Sequence, residues 1–174
     1  VSVKDAMLLI NSIFKSTLIL NQVIEKLGIN YRYFKKKKWK ANTLLTKESL
    51  PFEFIFKQTI TENKCSISYD KENVIIIIND NTFSFSKREP KFENSIFSYT
   101  PKFKNYEGKD TYIIKQFSMV NTINGVKSNY IINEPKKSNT YRISYAGPNK
   151  DLNSKILRGI VDGIKEHNLR EKKN

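Results

Sequence analysis

A chain of 174 residues, 39% hydrophobic and 28% charged, is long enough for one core and too apolar for a disordered polymer. A single cysteine and a single histidine exclude a disulfide framework, a cysteine-built zinc site and most histidine-dependent catalysis. The 31 Lys+Arg against 17 Asp+Glu leave a net charge of +14, which suits a polyanionic partner.

The charge is clustered. Lys, Asn, Ile, Phe and Tyr are all abundant and have AT-rich codons, so an AT-rich genome accounts for part of the lysine. Such a bias would spread charge evenly. Instead residues 31–47 carry seven Lys/Arg and residues 135–150 carry four, with no acid in either, and together they hold +11 of the +14.

In chain order, Ser2 and Asp5 form a capping-box pattern that opens a helix over 3–27, ended by Gly28. Ala6, Ile10, Ile13, Leu20, Ile24 and Leu27 recur at helical spacing, the pattern of a helix lying on a sheet. Met7, Phe14 and Leu18 widen that stripe and would serve a homodimer formed through the same helix. Residues 31–40, Tyr-Arg-Tyr-Phe-Lys-Lys-Lys-Lys-Trp-Lys, follow.

From Pro51 to Ala146 the pattern alternates. Strands are predicted near 51–61, 64–70, 74–79, 82–87, 95–104, 111–120, 126–133 and 140–146, separated by Asx- and Gly-rich turns. Asn124-Gly125 is the sharpest hairpin signal, because both residues tolerate positive φ. Short links make neighbouring strands antiparallel, and 88–94 is the one break that would divide them into two groups. A second amphipathic helix is predicted over 151–167, with Gly159 and Gly163 kept for close packing on the sheet and a frayed basic tail at 168–174. The expected fold is a single basic α+β domain over 1–174: an antiparallel meander of about eight strands, flanked by a long N-terminal helix and a C-terminal amphipathic helix. A strand meander closed by one C-terminal helix resembles a pleckstrin-homology-type module in outline, with no shared motif.

No catalytic constellation stands out. Asp80 with Glu89-Pro90-Lys91 resembles the acid plus Glu-x-Lys spacing of the restriction-type nuclease fold, but Pro90 would break the strand that presents the last two, and Glu107-Gly108-Lys109 falls in a turn. His167 suits a helix C-terminus and Cys65 a buried strand position, so neither is expected to act chemically. No metal or cofactor is expected.

The remaining signal is the basic-aromatic segment. Arg32, Lys35, Lys36, Lys37, Lys38 and Lys40 could neutralise phosphates, and Tyr33 and Trp39 could stack on bases. Lys136, Lys137 and Arg142 form a second basic group, which strengthens the reading if the fold gathers both. The plainer reading is that the lysines protect an exposed sheet edge. The expectation is a non-enzymatic domain binding a polyanion, with nucleic acid favoured over acidic protein or an anionic membrane surface, and a small metal-dependent nuclease third. The cysteine content fits the cytoplasm, and the start at Val1 leaves room for a removed signal peptide or further domain.

Overall fold

Alternation of buried and more exposed residues along its strands builds the part of the chain between Asn30 and Ser118. In the computed structural model, which describes residues 16–58, 61–104, 106–133, 142–147 and 149–173, this stretch is one of two compact units. Its described residues form nine strands: β1 (Tyr31–Lys35), β2 (Thr43–Leu45), β3 (Phe52–Phe56), β4 (Asn63–Tyr69), β5 (Asn73–Ile78), β6 (Asn81–Ser86), β7 (Phe92–Glu93), β8 (Phe97–Pro101) and β9 (Tyr112–Gln116). A short 3-10 turn, Lys47–Ser49, leads into β3.

Six of the strands form one sheet in the order β2-β1-β9-β4-β5-β6, and three form another in the order β3-β8-β7. Every pairing is antiparallel. Period-two alternation decides which side chains enter the core. Along β3, Phe52, Phe54 and Phe56 are buried while Glu53 and Ile55 point outward. They meet Phe97 and Tyr99 of β8 and the inward residues Tyr33, Cys65, Ile67, Val74, Ile76, Ile78, Phe85, Tyr112 and Ile114. Offset and edge-on aromatic pairs dominate this core, as between Phe54 and Phe56 at 4.9 Å. Gln116 is buried but satisfied, donating to the Tyr31 hydroxyl at 3.1 Å and accepting from Asn63 at 2.9 Å.

The turns follow local chemistry. Asp70 Oδ1 accepts from the backbone N–H of Asn73 at 2.6 Å and of Glu72 at 2.8 Å, which closes the β4–β5 turn and holds the Asp70 carboxyl below its usual range. Asn79 and Asp80 have φ of 46° and 69°, as a tight hairpin between β5 and β6 requires.

The other compact unit joins residues up to Ile29 with those from Met119 onward. Its elements are α1 (Thr17–Leu27), α2 (Met119–Asn129), β10 (Tyr130–Asn133), β11 (Arg142–Tyr145) and α3 (Lys150–Glu171). Leu20 and Ile24 of α1 and Ile156 and Ile160 of α3 are fully buried together, with Ile123 and Val126 of α2 beside them. The Asn149 side chain caps α3 by accepting from the Leu152 N–H at 3.0 Å. Gly28, at φ 62°, ends α1 with its own N–H on the Glu25 carbonyl and the Ile29 N–H on the Ile24 carbonyl.

The α+β class with an antiparallel sheet is as the sequence predicts, and several details differ. The strands are not one meander, because β9 inserts between β1 and β4. The predicted hairpin at Asn124-Gly125 is instead the middle of α2, where Ile123 and Val126 are buried three residues apart, so helical burial overrides the turn preference of the dipeptide. The predicted strand 126–133 survives only as β10. The break at 88–94 lies inside the β-rich unit. The first helix is described from Thr17, and within its own unit it packs on α2 and α3. Leu18, one member of its second apolar stripe, is 64% exposed, while Met7 and Phe14 lie outside the described residues.

The α3 glycines serve that helix–helix contact. A Cβ on Gly163 would stand 2.8 Å from Cγ2 of Ile19, and one on Gly159 would stand 3.2 Å from Cγ1 of Val23. A Cβ on Gly125 would meet nothing within 4 Å. Alanine gains about 1 kcal/mol over glycine in a helix interior. Crowding a packed contact costs about 1–3 kcal/mol. Gly125→Ala is therefore expected to raise the urea midpoint followed by helical circular dichroism, and Gly163→Ala to lower it. Equal gains from both would mean that the α1–α3 contact is looser than the geometry described here.

Candidate nucleic-acid interface

The basic-aromatic segment divides at Lys35. Up to that point it is β1, a strand enclosed by β2 on one side and β9 on the other. Lys36 to Asn42 then form the connection from β1 to β2, with every residue exposed. The lysines thus lie on the connection between an interior strand and β2, the edge strand of this sheet, a place that suits edge protection as well as phosphate contact.

Within β1, alternation separates the residues by role. Tyr33 is 7% exposed and belongs to the core, so its expected part as a stacking surface is corrected: the inward register that pairs it with Ile114 puts the ring among apolar side chains. Burial pushes its hydroxyl pKa up. Arg32 and Phe34 take the opposite face. The Arg32 guanidinium lies 5.2 Å from the Phe117 ring centroid, and Lys115 lies 5.4 Å from that of Phe34. The register places Arg32 opposite Lys115, and Lys115 opposite Lys64, so three cations line up across β1, β9 and β4. Lys35 is tied to Asp110 at 2.7 Å, a surface ion pair that raises the lysine pKa.

Two backbone N–H groups anchor the connection itself. The Lys36 N–H donates to the Thr111 carbonyl at 2.8 Å, and the Lys37 N–H to Asn42 Oδ1 at 3.4 Å. Among the described residues no ion pair holds the side chains of Lys36, Lys37, Lys38 or Lys40. Trp39 is 88% exposed, as its lysine neighbours predict. An indole held in water amid four mobile cations has a free face for stacking and costs nothing further to uncover.

Strand register shows what else lies at this end of the sheet. Lys35 faces Tyr112, Tyr112 faces Ile67, Tyr69 faces Val74, and Asn73 faces Ser86. Residues 36–42, 70–72, 87–91 and 106–111 are therefore neighbours at one end of the six-stranded sheet. They carry nine Lys/Arg and five Asp/Glu. Lys71, Lys87 and Arg88 belong to this group, and none of them is ion-paired among the described residues. At the opposite end, Asp80 stands in the turn between β5 and β6, which carries no Lys or Arg.

Of the second basic group, Arg142 is exposed on β11 in the helical unit, and Lys136 and Lys137 lie outside the described residues. Within the β-rich unit the cations that accompany 36–40 are Lys71, Lys87 and Arg88, with Lys64 and Lys115 on the outer face, drawn from separate parts of the chain. Their one trace in the sequence is position, each beside a turn or at an outward strand site.

The nuclease pattern does not assemble. Asp80 precedes β6 and Glu89 follows it, so the six residues of that strand, about 20 Å, separate the two. Lys91 is bound to Glu93 at 2.7 Å. Among the described residues no group of His, Cys, Asp and Glu could hold a metal ion. Cys65 is 1% exposed, and burial pushes its thiol pKa far up, as suits a small core hydrophobe. His167 is exposed on α3, one turn before the helix ends. No helix among the described residues is long and apolar enough to cross a membrane. Set against known proteins, the chain matches no protein-family model and has no significant match to a curated protein.

Proposed function

We propose that the protein binds single-stranded nucleic acid through the cationic end of its six-stranded sheet, with the connection 36–40 as the principal contact. The observation that carries this reading is the pairing of a nearly fully exposed Trp39 with four exposed lysines that form no ion pair among the described residues. Lysines supply the phosphate contacts, which are strong at low salt and indifferent to sequence. The indole supplies a stacking surface that any base fits. Binding, rather than chemistry on the strand, is the role this arrangement supports.

The same cations would draw the protein to anionic lipid, at about 1 kcal/mol for each Lys or Arg near the surface. Electrophoresis of the purified chain with single-stranded DNA, RNA, duplex and anionic vesicles at matched salt, with and without Mg²⁺, separates the readings. The expected result is a retarded, intact single strand whose mobility is unaffected by EDTA. Preference for vesicles over every nucleic acid would overturn the proposal, and Mg²⁺-dependent degradation would replace it with the nuclease reading.

A further inference from the structure

At the same end of the sheet as the connection 36–40 lies a cavity of about 340 Å³ lined by Lys71, Lys87, Arg88, Tyr106, Glu72 and Glu107. A volume of that size is in the range of small-ligand pockets. Its walls come from three different connections, so the chain positions it deliberately in three dimensions. The Lys87 N–H donates to the Glu72 carbonyl at 2.8 Å, and the Arg88 N–H to the Ser86 hydroxyl at 3.2 Å, which fixes the backbone from which two of the cations project.

Tyr106 is held as a wall. Its hydroxyl is 2.9 Å from that of Tyr112, and its ring centroid is 4.8 Å from that of Tyr69. Gly108 allows this placement, since a Cβ there would run into the Tyr106 ring. Lys87 sits 5.6 Å from the Tyr69 ring centroid. Lys71, Lys87 and Arg88 thus converge on one concavity beside an immobilised aromatic ring, and no carboxylate among the described residues forms an ion pair with any of them.

Resting on the single-strand reading above, we infer that this cavity receives the terminal nucleotide of the strand and recognises its phosphate monoester. An internal phosphodiester carries one negative charge, whereas a terminal monoester carries nearly two, and the three cations of the cavity outweigh Glu72 and Glu107 by one charge, which favours the more highly charged group. Tyr106 offers the terminal base a face, and Glu72 and Glu107 offer acceptors to its N–H edge. The spacing also fits. Three to four strand separations, about 14–19 Å, divide the cavity from the connection 36–40. At about 3.4 Å per nucleotide, a stacked strand covers that distance in about four to six residues.

The test uses the full chain and oligothymidylates of about ten nucleotides that end in a 5′-phosphate, a 3′-phosphate or hydroxyls only. One phosphorylated strand is expected to bind about tenfold tighter than the hydroxyl-ended strand at matched salt. The double variant Lys71→Gln, Arg88→Gln is expected to abolish that preference, so that it binds phosphorylated and hydroxyl-ended strands equally, whatever its affinity for both. Both side chains are exposed, so the variant retains its fold. If all three strands bind the wild type equally, or the preference survives the double variant, the inference falls and the single-strand reading stands. If none of the strands binds, both fall.

Discussion

Replacing Lys36, Lys37, Lys38 and Lys40 together with Gln is expected to flatten the salt dependence of single-strand binding and to leave folding unchanged. Each phosphate neutralised on a single strand contributes about −0.7 to the slope of log K against log salt. Four contacts therefore contribute about −2.8, a loss of about fifty-fold between 50 and 200 mM salt that the variant should not show. Lys35 is left in place because its bond to Asp110 already occupies it. The four side chains touch no core residue, and surface substitutions of this kind usually stay within about 0.5 kcal/mol of the parent stability. Fluorescence anisotropy across a salt series, with urea unfolding beside it, reads both quantities. A variant that keeps the wild-type slope would show that the phosphates are met elsewhere, and the connection would lose its assigned role.

Much of the fold is visible in the sequence because its signals are local. Phe52-Glu53-Phe54-Ile55-Phe56 alternates, and β3 buries every second residue. Asp70 and Asn73 mark a turn, and their hydrogen bonds close it. Asn149 stands before an apolar-periodic run, and it caps α3. Each of these features is settled within a few residues. Asn124-Gly125 shows the limit of such reasoning. The dipeptide favours a hairpin, yet Ile123, Val126 and Tyr130 offer a helical stripe, and tertiary burial in the helical unit decides between the two.

The candidate site was legible only in part, for a physical reason. A run of lysines around a tryptophan is conspicuous in one dimension, but its accompanying cations are not. Tyr31 and Gln116 lie 85 residues apart and share a hydrogen bond, because β9 crosses back to pair with β1. That crossing brings Tyr106 and Glu107 to the same end of the sheet as residues 36–40, and the β4–β5–β6 hairpins bring Lys71, Lys87 and Arg88. Periodicity carries no record of pairing over such separations. Charge counted along the chain singles out 136–142, of which Arg142 belongs to the helical unit and Lys136 and Lys137 lie outside the described residues. Tyr33 and Trp39 make the same point: six residues apart in one segment, one is core and the other is almost wholly in water.

Trp39→Ala is expected to weaken single-strand binding by about 1–3 kcal/mol, the value of one base stacked on an aromatic ring, or about five- to a hundred-and-fifty-fold. Duplex binding should change little, since paired bases cannot reach the indole and the lysines remain. The chain has a single tryptophan, so its emission reports on this site alone. At 88% exposure it should be quenched freely by acrylamide in the free protein, and a saturating single strand should shield it. In the four-Gln variant, added strand at moderate salt should leave the quenching as it is in the free protein, which ties shielding to the phosphate contacts. Equal loss on single strand and duplex would mean that the indole positions the lysines rather than stacking. No loss on either, with emission unchanged by added strand, would leave the most exposed aromatic ring of the described chain without a part in binding and would remove the reason for preferring single strands over duplex.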